Sequence, residues 1–162
     1  MLEKQLLRNV PLFSYLTDDD LGYILKKTEK KVFSKGDIIF LRGGAAINFF
    51  IVISGEILIT QHTNEKNIDL AKYIAGDSFG EFNFITGALY DVMARSLTES
   101  KLFIFPALSY TLESLALEKP KIIYKIYQRS LLLLSSRLRS INELISQNTV
   151  WVKQLQDQIN ID

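Results

Sequence analysis

The sequence predicts a mainly β domain, a barrel or jelly roll, with helices at both ends. Three observations predict it. From Glu29 onward the chain falls into short apolar runs separated by glycine turns. Ahead of them lie two short stretches with helical spacing. After them, from Pro120 to Ile159, nothing interrupts a helix. Many short strands with closely spaced turn signals are the pattern of a closed or rolled sheet.

Each element has a local cause. Leu2, Leu6, Leu7 and Val10 make one apolar helical face. Pro11 ends it, because proline lacks a donor and restrains the residue before it. Thr17 opens a second helix: its hydroxyl can cap free amides, and Asp18 to Asp20 suit the positive end of the helix dipole. KKVFS and KGDIIF are strands turned at Gly36. FFIVISGEILIT is two strands joined through Ser54-Gly55, where a left-handed residue costs little. Asn64 to Asn67 form a further turn, followed by the run IDLAKYIAGD. VMARSL and KLFIF complete the strands.

The segment from Pro120 to Ile159 carries a seam. Leu131, Leu134, Leu138, Ile141, Ile145, Asn148, Val152, Leu155 and Ile159 are separated alternately by three and four residues, a heptad repeat. A lone helix projecting from a small barrel would expose this row. Burying each Leu or Ile is worth roughly 1.5–3 kcal/mol, so a partner helix is expected, and a homodimer is the simplest one. The competing reading is a helix folded back over its own barrel. Leu144 and Trp151 lie beside the seam and widen it. Asn148, its polar member, restricts register by pairing with its counterpart. The expected division is therefore 1–118 for the helices and β-roll and 119–162 for the dimerisation helix.

Bulk properties exclude several functions. The chain has 162 residues, 48% of them hydrophobic and 23% charged, as in an ordinary soluble globule. A formal net charge of +1 provides no broad basic field for nucleic acid or anionic lipid. There is no cysteine, which removes disulfides, thiol chemistry and cysteine-ligated clusters, and His62 is the single histidine. His62 reads as a solvated hairpin residue. No apolar run reaches membrane-spanning length and no signal-peptide core is present, so a reduced, cytoplasmic setting is expected. Lys26, Lys27, Lys30 and Lys31 form one basic cluster, and Lys121, Lys125 and Arg129 recur every four residues. Both read as solvated faces rather than docking sites.

Several motifs carry a resemblance. VPLFSYLTDDDL, KGDIIFLRGG, FFIVISGEILI, GDSFGE and TESKLFIF follow one another in order, with Gly36, Gly55, Gly76 and Gly80 at the tight turns. Over about residues 8 to 145 the chain resembles the cyclic-nucleotide-binding domain family. Its members include catabolite-activator-type transcription factors, kinase regulatory subunits and gated channels. The resemblance implies a double-stranded β-helix of jelly-roll type, an eight-stranded β-roll followed by a long helix that often dimerises. In transcription-factor members a helix-turn-helix domain follows that helix. The sequence here ends at Asp162, so direct DNA binding by that route is not expected.

The same resemblance locates a ligand pocket at Phe79, Gly80, Glu81, Tyr90 and Asp91. Phe79, Gly80 and Glu81 match the start of the phosphate-binding cassette, where a helix N-terminus attracts an anion. In binders the glutamate accepts a hydrogen bond from the ribose, so Glu81 either does this or caps the short helix. Continuing without gaps, Leu89, Tyr90 and Asp91 stand where binders place proline, arginine and a small residue. Loss of a charge-assisted hydrogen bond forfeits about 1.5–3 kcal/mol. A carboxylate about 4 Å from a phosphate adds about 4 kcal/mol of repulsion at an effective dielectric of 20. Together they amount to roughly 5 kcal/mol, more than a thousandfold in affinity.

Arg95 is the rival clamp. It lies four residues beyond Asp91, roughly 13 Å along a strand, and reads better as a surface residue. Tyr90 also reads as filling the space left by ligand, and Tyr73, Phe79, Phe82 and Phe84 as lining or closing the pocket. Haem and iron–sulfur chemistry lack ligands, and no nucleophile–base pair stands out. The expected function is that of a non-enzymatic, degenerate regulatory or scaffolding domain. No cofactor or metal is expected, cyclic nucleotide is disfavoured, and a protein partner is unidentified. The alternatives are a true cyclic AMP or cyclic GMP sensor and a sensor of an uncharged ligand in the same cavity.

Overall fold

The computed structural model describes residues 2–62 and 67–159; within these, the side chains of Leu2, His62, Asn67, Leu155, Asp157, Gln158 and Ile159 fall outside the description. Of the turn expected at Asn64 to Asn67, residues 64–66 lie outside the described residues, as do the side chains of seam members Leu155 and Ile159, while Asn67 opens a strand. The chain runs α1 (Leu2–Asn9), a 3-10 turn (Pro11–Phe13), α2 (Asp18–Lys26), β1 (Glu29–Phe33), β2 (Ile38–Phe40), β3 (Phe49–Ser54), β4 (Ile57–His62) and β5 (Asn67–Tyr73). It continues through β6 (Ser78–Phe79), α3 (Glu81–Thr86), β7 (Met93–Ser96), β8 (Ser100–Phe105), α4 (Leu112–Glu118) and α5 (Pro120–Ile159). The helix α4 is not anticipated from the sequence. Its start is a capping box in which Thr111 and Ser114 each accept the other's backbone N–H.

Two antiparallel sheets form the roll, ordered β1-β8-β3-β6 and β2-β7-β4-β5. The β3 and β4 strands, read as a joined pair, sit in different sheets. The chain crosses between sheets at Gly55, whose φ of 93° a side chain rarely adopts. A Cβ there would lie 2.3 Å from Ser100 Oγ and 2.7 Å from the Glu99 carbonyl oxygen. Both φ and close packing demand glycine.

The first sheet is covered on both faces, which explains why β3 is an unbroken apolar run rather than an alternating one. Phe49, Ile51, Phe103 and Phe105 face the helices. Phe50, Val52, Leu102 and Ile104 alternate with them and face the interior of the roll. The helical layer returns Leu7, Val10, Leu12, Phe13, Leu21 and Ile24 to the same outer core. Thr17 and Asp20 form the capping box of α2.

The first third of α5 belongs to this layer, through buried Ile122, Ile123 and Ile126. Of its basic ladder Lys121 is exposed as expected, but the other two members are engaged. Lys125 donates to Asp20 at 2.6 Å, and Arg129 Nε donates to the Pro11 carbonyl at 3.1 Å. Lys27 pairs with Glu118 at 2.8 Å and lies over the Tyr110 ring, and Lys30 pairs with Glu3. These cations tie elements to one another, Lys30 joining β1 to α1 and the others joining helical segments, a relation that spacing along one element does not reveal.

Beyond this anchored part α5 keeps one further contact with the roll, through Arg137, and then leaves it. Leu134 is half-buried, but Leu131, Leu138, Ile141, Ile145, Asn148 and Val152 are exposed. The fold-back alternative is thereby corrected: the described part of the seam does not lie on its own roll. Among the described residues, no helix is long and apolar enough to cross a membrane.

Candidate ligand pocket

The cassette begins where β6 pairs with β3, Phe79 opposite Phe50 and Ser78 opposite Ile51. Gly80 then turns the chain with φ 82°, and Gly87 closes α3 with φ 70°. Both positive φ values suit glycine, which is why the short helix has these bounds. Beside α3 lies a cavity of about 420 Å³, walled by Phe40, Ile59, Tyr73, Phe79, Phe82 and Val92, with Glu81, Asn83, Asp91 and Arg137 as its polar lining.

Glu81 is half-buried within this lining. Burial pushes its carboxyl above the usual range, while its own backbone amide, the Arg137 charge and the Ser78 hydroxyl oppose that rise. Tyr73 is likewise raised, first by burial and then by the negative field of Glu81. Asp91 is exposed on the cavity's edge and accepts a long hydrogen bond, 3.5 Å, from Asn83 Nδ2. The same amide donates to the Leu89 carbonyl at 2.9 Å, fixing the loop that carries Asp91.

Tyr90 does not line the cavity. It is buried within the roll, stacked on Phe40 with centroids 3.7 Å apart. Its hydroxyl donates to the Asn48 carbonyl at 2.6 Å. Burial pushes the phenol up to about 12, so it stays neutral through the physiological range. The structure thus brings Phe79, Gly80, Glu81 and Asp91 together and withdraws Tyr90 behind them. Arg95 is exposed between buried Ala94 and Ser96, and strand alternation points it away from the interior.

Arg137 is the residue sequence reasoning misses. It approaches the cavity from α5, with its guanidinium 5.0 Å from the centre of the Phe82 ring. Its heptad position marks it only as a neighbour of the seam. No spacing reveals that α5 passes the cassette at that turn. Among the described residues, no group of three acidic or histidine side chains is placed to hold a metal.

Comparison with known proteins agrees with this geometry. The profile of the cyclic nucleotide-binding domain matches residues 30–111, over half of the chain. A protein named as a potassium channel in Rhodopseudomonas palustris is 24% identical over 119 residues, which is 74% of this chain and 28% of that one. The cGMP-dependent protein kinase isozyme 1 of Drosophila melanogaster is 32% identical over 78 residues, 46% of this chain and 10% of the kinase. The chain therefore spans about a quarter and a tenth of these relatives. The sensor domain of the transcriptional regulator DNR from Pseudomonas aeruginosa has a similar fold, with a TM-score of 0.69 and 24% identity, covering 90% of this chain and 92% of the other. With its β-roll, its glycine-bounded cassette and this profile match, the chain belongs to the cyclic nucleotide-binding domain family.

Proposed function

We propose that this chain is a non-catalytic, cytoplasmic regulatory or scaffolding domain that does not hold cyclic AMP in its family's usual way. It acts through self-association of α5 and through contacts with another protein. The observation that carries the reading is the inward seat of Tyr90, whose hydroxyl is already bonded to Asn48. The cassette thus offers no cation to a phosphate from that position, and Asp91 lines the cavity beside it. Arg137 reaches the cavity from another element, alongside the carboxylates of Glu81 and Asp91. An anionic ligand meets more negative than positive lining.

Self-association rests on a separate observation. Leu138 is 60% exposed and Ile145 58%, in a repeat that continues for several turns. An apolar stripe of that length is the surface a second helix covers. Division of the chain at about residue 119, into roll and dimerisation helix, follows from the same reading.

Calorimetric titration of the whole chain with cyclic AMP and cyclic GMP tests the pocket. The expected result is no saturable heat in the micromolar range, and clear micromolar binding of either nucleotide overturns the assignment. Asp91→Ala should gain affinity for the same nucleotides, since it removes a repulsive charge from the cavity lining.

A further inference from the structure

We infer that the cavity beside α3 selects a small aromatic amine, a ligand of opposite charge to a cyclic phosphate. The inference rests on the reading that anionic nucleotides are not held there, and it adds what the same walls do favour. Three features converge. The cavity of about 420 Å³ falls within the size of small-molecule sites, roughly 300–1,000 Å³. Its apolar walls are rich in rings: Phe40, Tyr73, Phe79 and Phe82. Among the described residues, its charged lining is two acidic side chains, Glu81 and Asp91, against one guanidinium, Arg137.

The placement of these charges gives the lining its sign. Arg137 lies over the face of Phe82 at 5.0 Å, a cation–π contact, and its charge still reaches Glu81 and Tyr73, so one cation is set against the two acidic side chains. At the Tyr73 phenol Glu81 supplies the larger negative field, the Arg137 charge opposes it, and Asp77 adds a smaller negative contribution. Phe79 and Tyr73 pack with centroids 5.4 Å apart, and Phe79 stacks on Phe50 at 5.2 Å, so the rings form a continuous apolar wall. A flat aromatic group is buried against such a wall, and an ammonium at its end meets Asp91 at the exposed edge or Glu81 deeper in. Ammonium–carboxylate contacts strengthen in a partly desolvated site. A carboxylate or phosphate in the same pose meets Glu81 and Asp91 with like charge.

Three probes that share a ring and differ in their head group read this directly: tryptamine, tryptophol and indole-3-propionate. Each is titrated into the full chain by calorimetry at pH 8, where the three probes carry an ammonium, a neutral hydroxyl and a carboxylate. Tryptamine is expected to bind about tenfold more tightly than tryptophol and about a hundredfold more tightly than indole-3-propionate. Asp91→Asn and Glu81→Gln, both near-isosteric and checked for folding by thermal melting, are each expected to weaken tryptamine by about tenfold and leave tryptophol unchanged. Equal binding of the three probes, tighter binding of the propionate, or no tryptamine binding overturns the inference. A parallel cyclic AMP titration separates the two readings. Absent cyclic AMP binding together with absent tryptamine binding defeats only the amine assignment, whereas micromolar cyclic AMP binding defeats the reading beneath it.

Discussion

The hydroxyl of Tyr90 donates to the backbone carbonyl of Asn48 at 2.6 Å, and the side-chain amide of Asn48 in turn donates to the carbonyl of Pro106 at 2.6 Å. This buried relay joins the loop after the cassette to the loop before β3 and to the end of β8. It explains how a tyrosine occupies the cassette without touching the cavity. The ring fills the interior beside Phe40, and the hydroxyl is satisfied there.

Tyr90→Phe is expected to destabilise the fold by about 1 kcal/mol at pH 7, the net worth of a buried hydrogen bond. It also carries a pH signature. The folded phenol is pushed up to about 12, above the ordinary value of 10. The unfolded chain therefore ionises first. The stability that Tyr90 contributes is complete below pH 10 and is lost as pH rises towards 12. By pH 11 the loss reaches about 1.4 kcal/mol. Urea unfolding at pH 8 and pH 11 should show wild type losing about 1.4 kcal/mol relative to Tyr90→Phe, enough to cancel or slightly reverse its advantage. A gap independent of pH refutes the buried, neutral phenol.

The link between Asp20 and Lys125 should set the acid limb of stability. Burial raises the Asp20 carboxyl, but hydrogen bonds from Lys125 and Thr17 outweigh it and hold the group below its ordinary value of 3.8. A depressed folded value means the stabilisation is present above 3.8 and disappears as pH falls through the folded value. Lys125→Met is expected to flatten the loss of thermal stability between pH 5 and pH 2.5. Unchanged melting curves over that window would show that the bridge does not tie α5 to α2.

Much of the roll was legible because its signals are local. Gly36, Gly55, Gly76 and Gly80 all have positive φ, and the strands between them follow the apolar runs. Thr17 caps α2 through its own hydroxyl three residues on. What stayed hidden depends on relations across the fold. The pairing of Lys125 with Asp20 spans 105 residues, and Arg129 reaches Pro11 across 118. Arg137 reaches the cavity because of where α5 crosses the roll, which no heptad count contains. The direction of Tyr90 depends on Phe40 and Asn48, from two other segments.

Gly55 and Gly36 separate strain from collision. Their φ values are 93° and 92°, so alanine at either position is held in a disfavoured conformation at about 1–3 kcal/mol. A Cβ at Gly36 meets nothing within 4 Å, whereas one at Gly55 falls 2.3 Å from Ser100 Oγ and 2.7 Å from the Glu99 carbonyl. Gly36→Ala should therefore lower stability by about 1 kcal/mol and Gly55→Ala by about 3 kcal/mol or more, measured by urea denaturation. Equal losses would show that the crossover between sheets relaxes around the added methyl.

The exposed half of α5 yields the last prediction. Leu138 and Ile141 are 60% and 46% exposed in the single chain, so an aspartate at either site leaves the protomer's core untouched. In a paired helix the same carboxylate is buried against apolar neighbours without a partner, at several kcal/mol. Leu138→Asp and Ile141→Asp should thus shift sedimentation from dimer to monomer while circular dichroism of the roll is retained. Lys121→Asp, on the anchored part of α5 and exposed there, serves as the charge control and should remain dimeric. A monomeric wild type, or a dimer indifferent to both seam substitutions, removes α5 from the assembly. The stripe from Leu131 to Val152 would then have to be covered by a different protein.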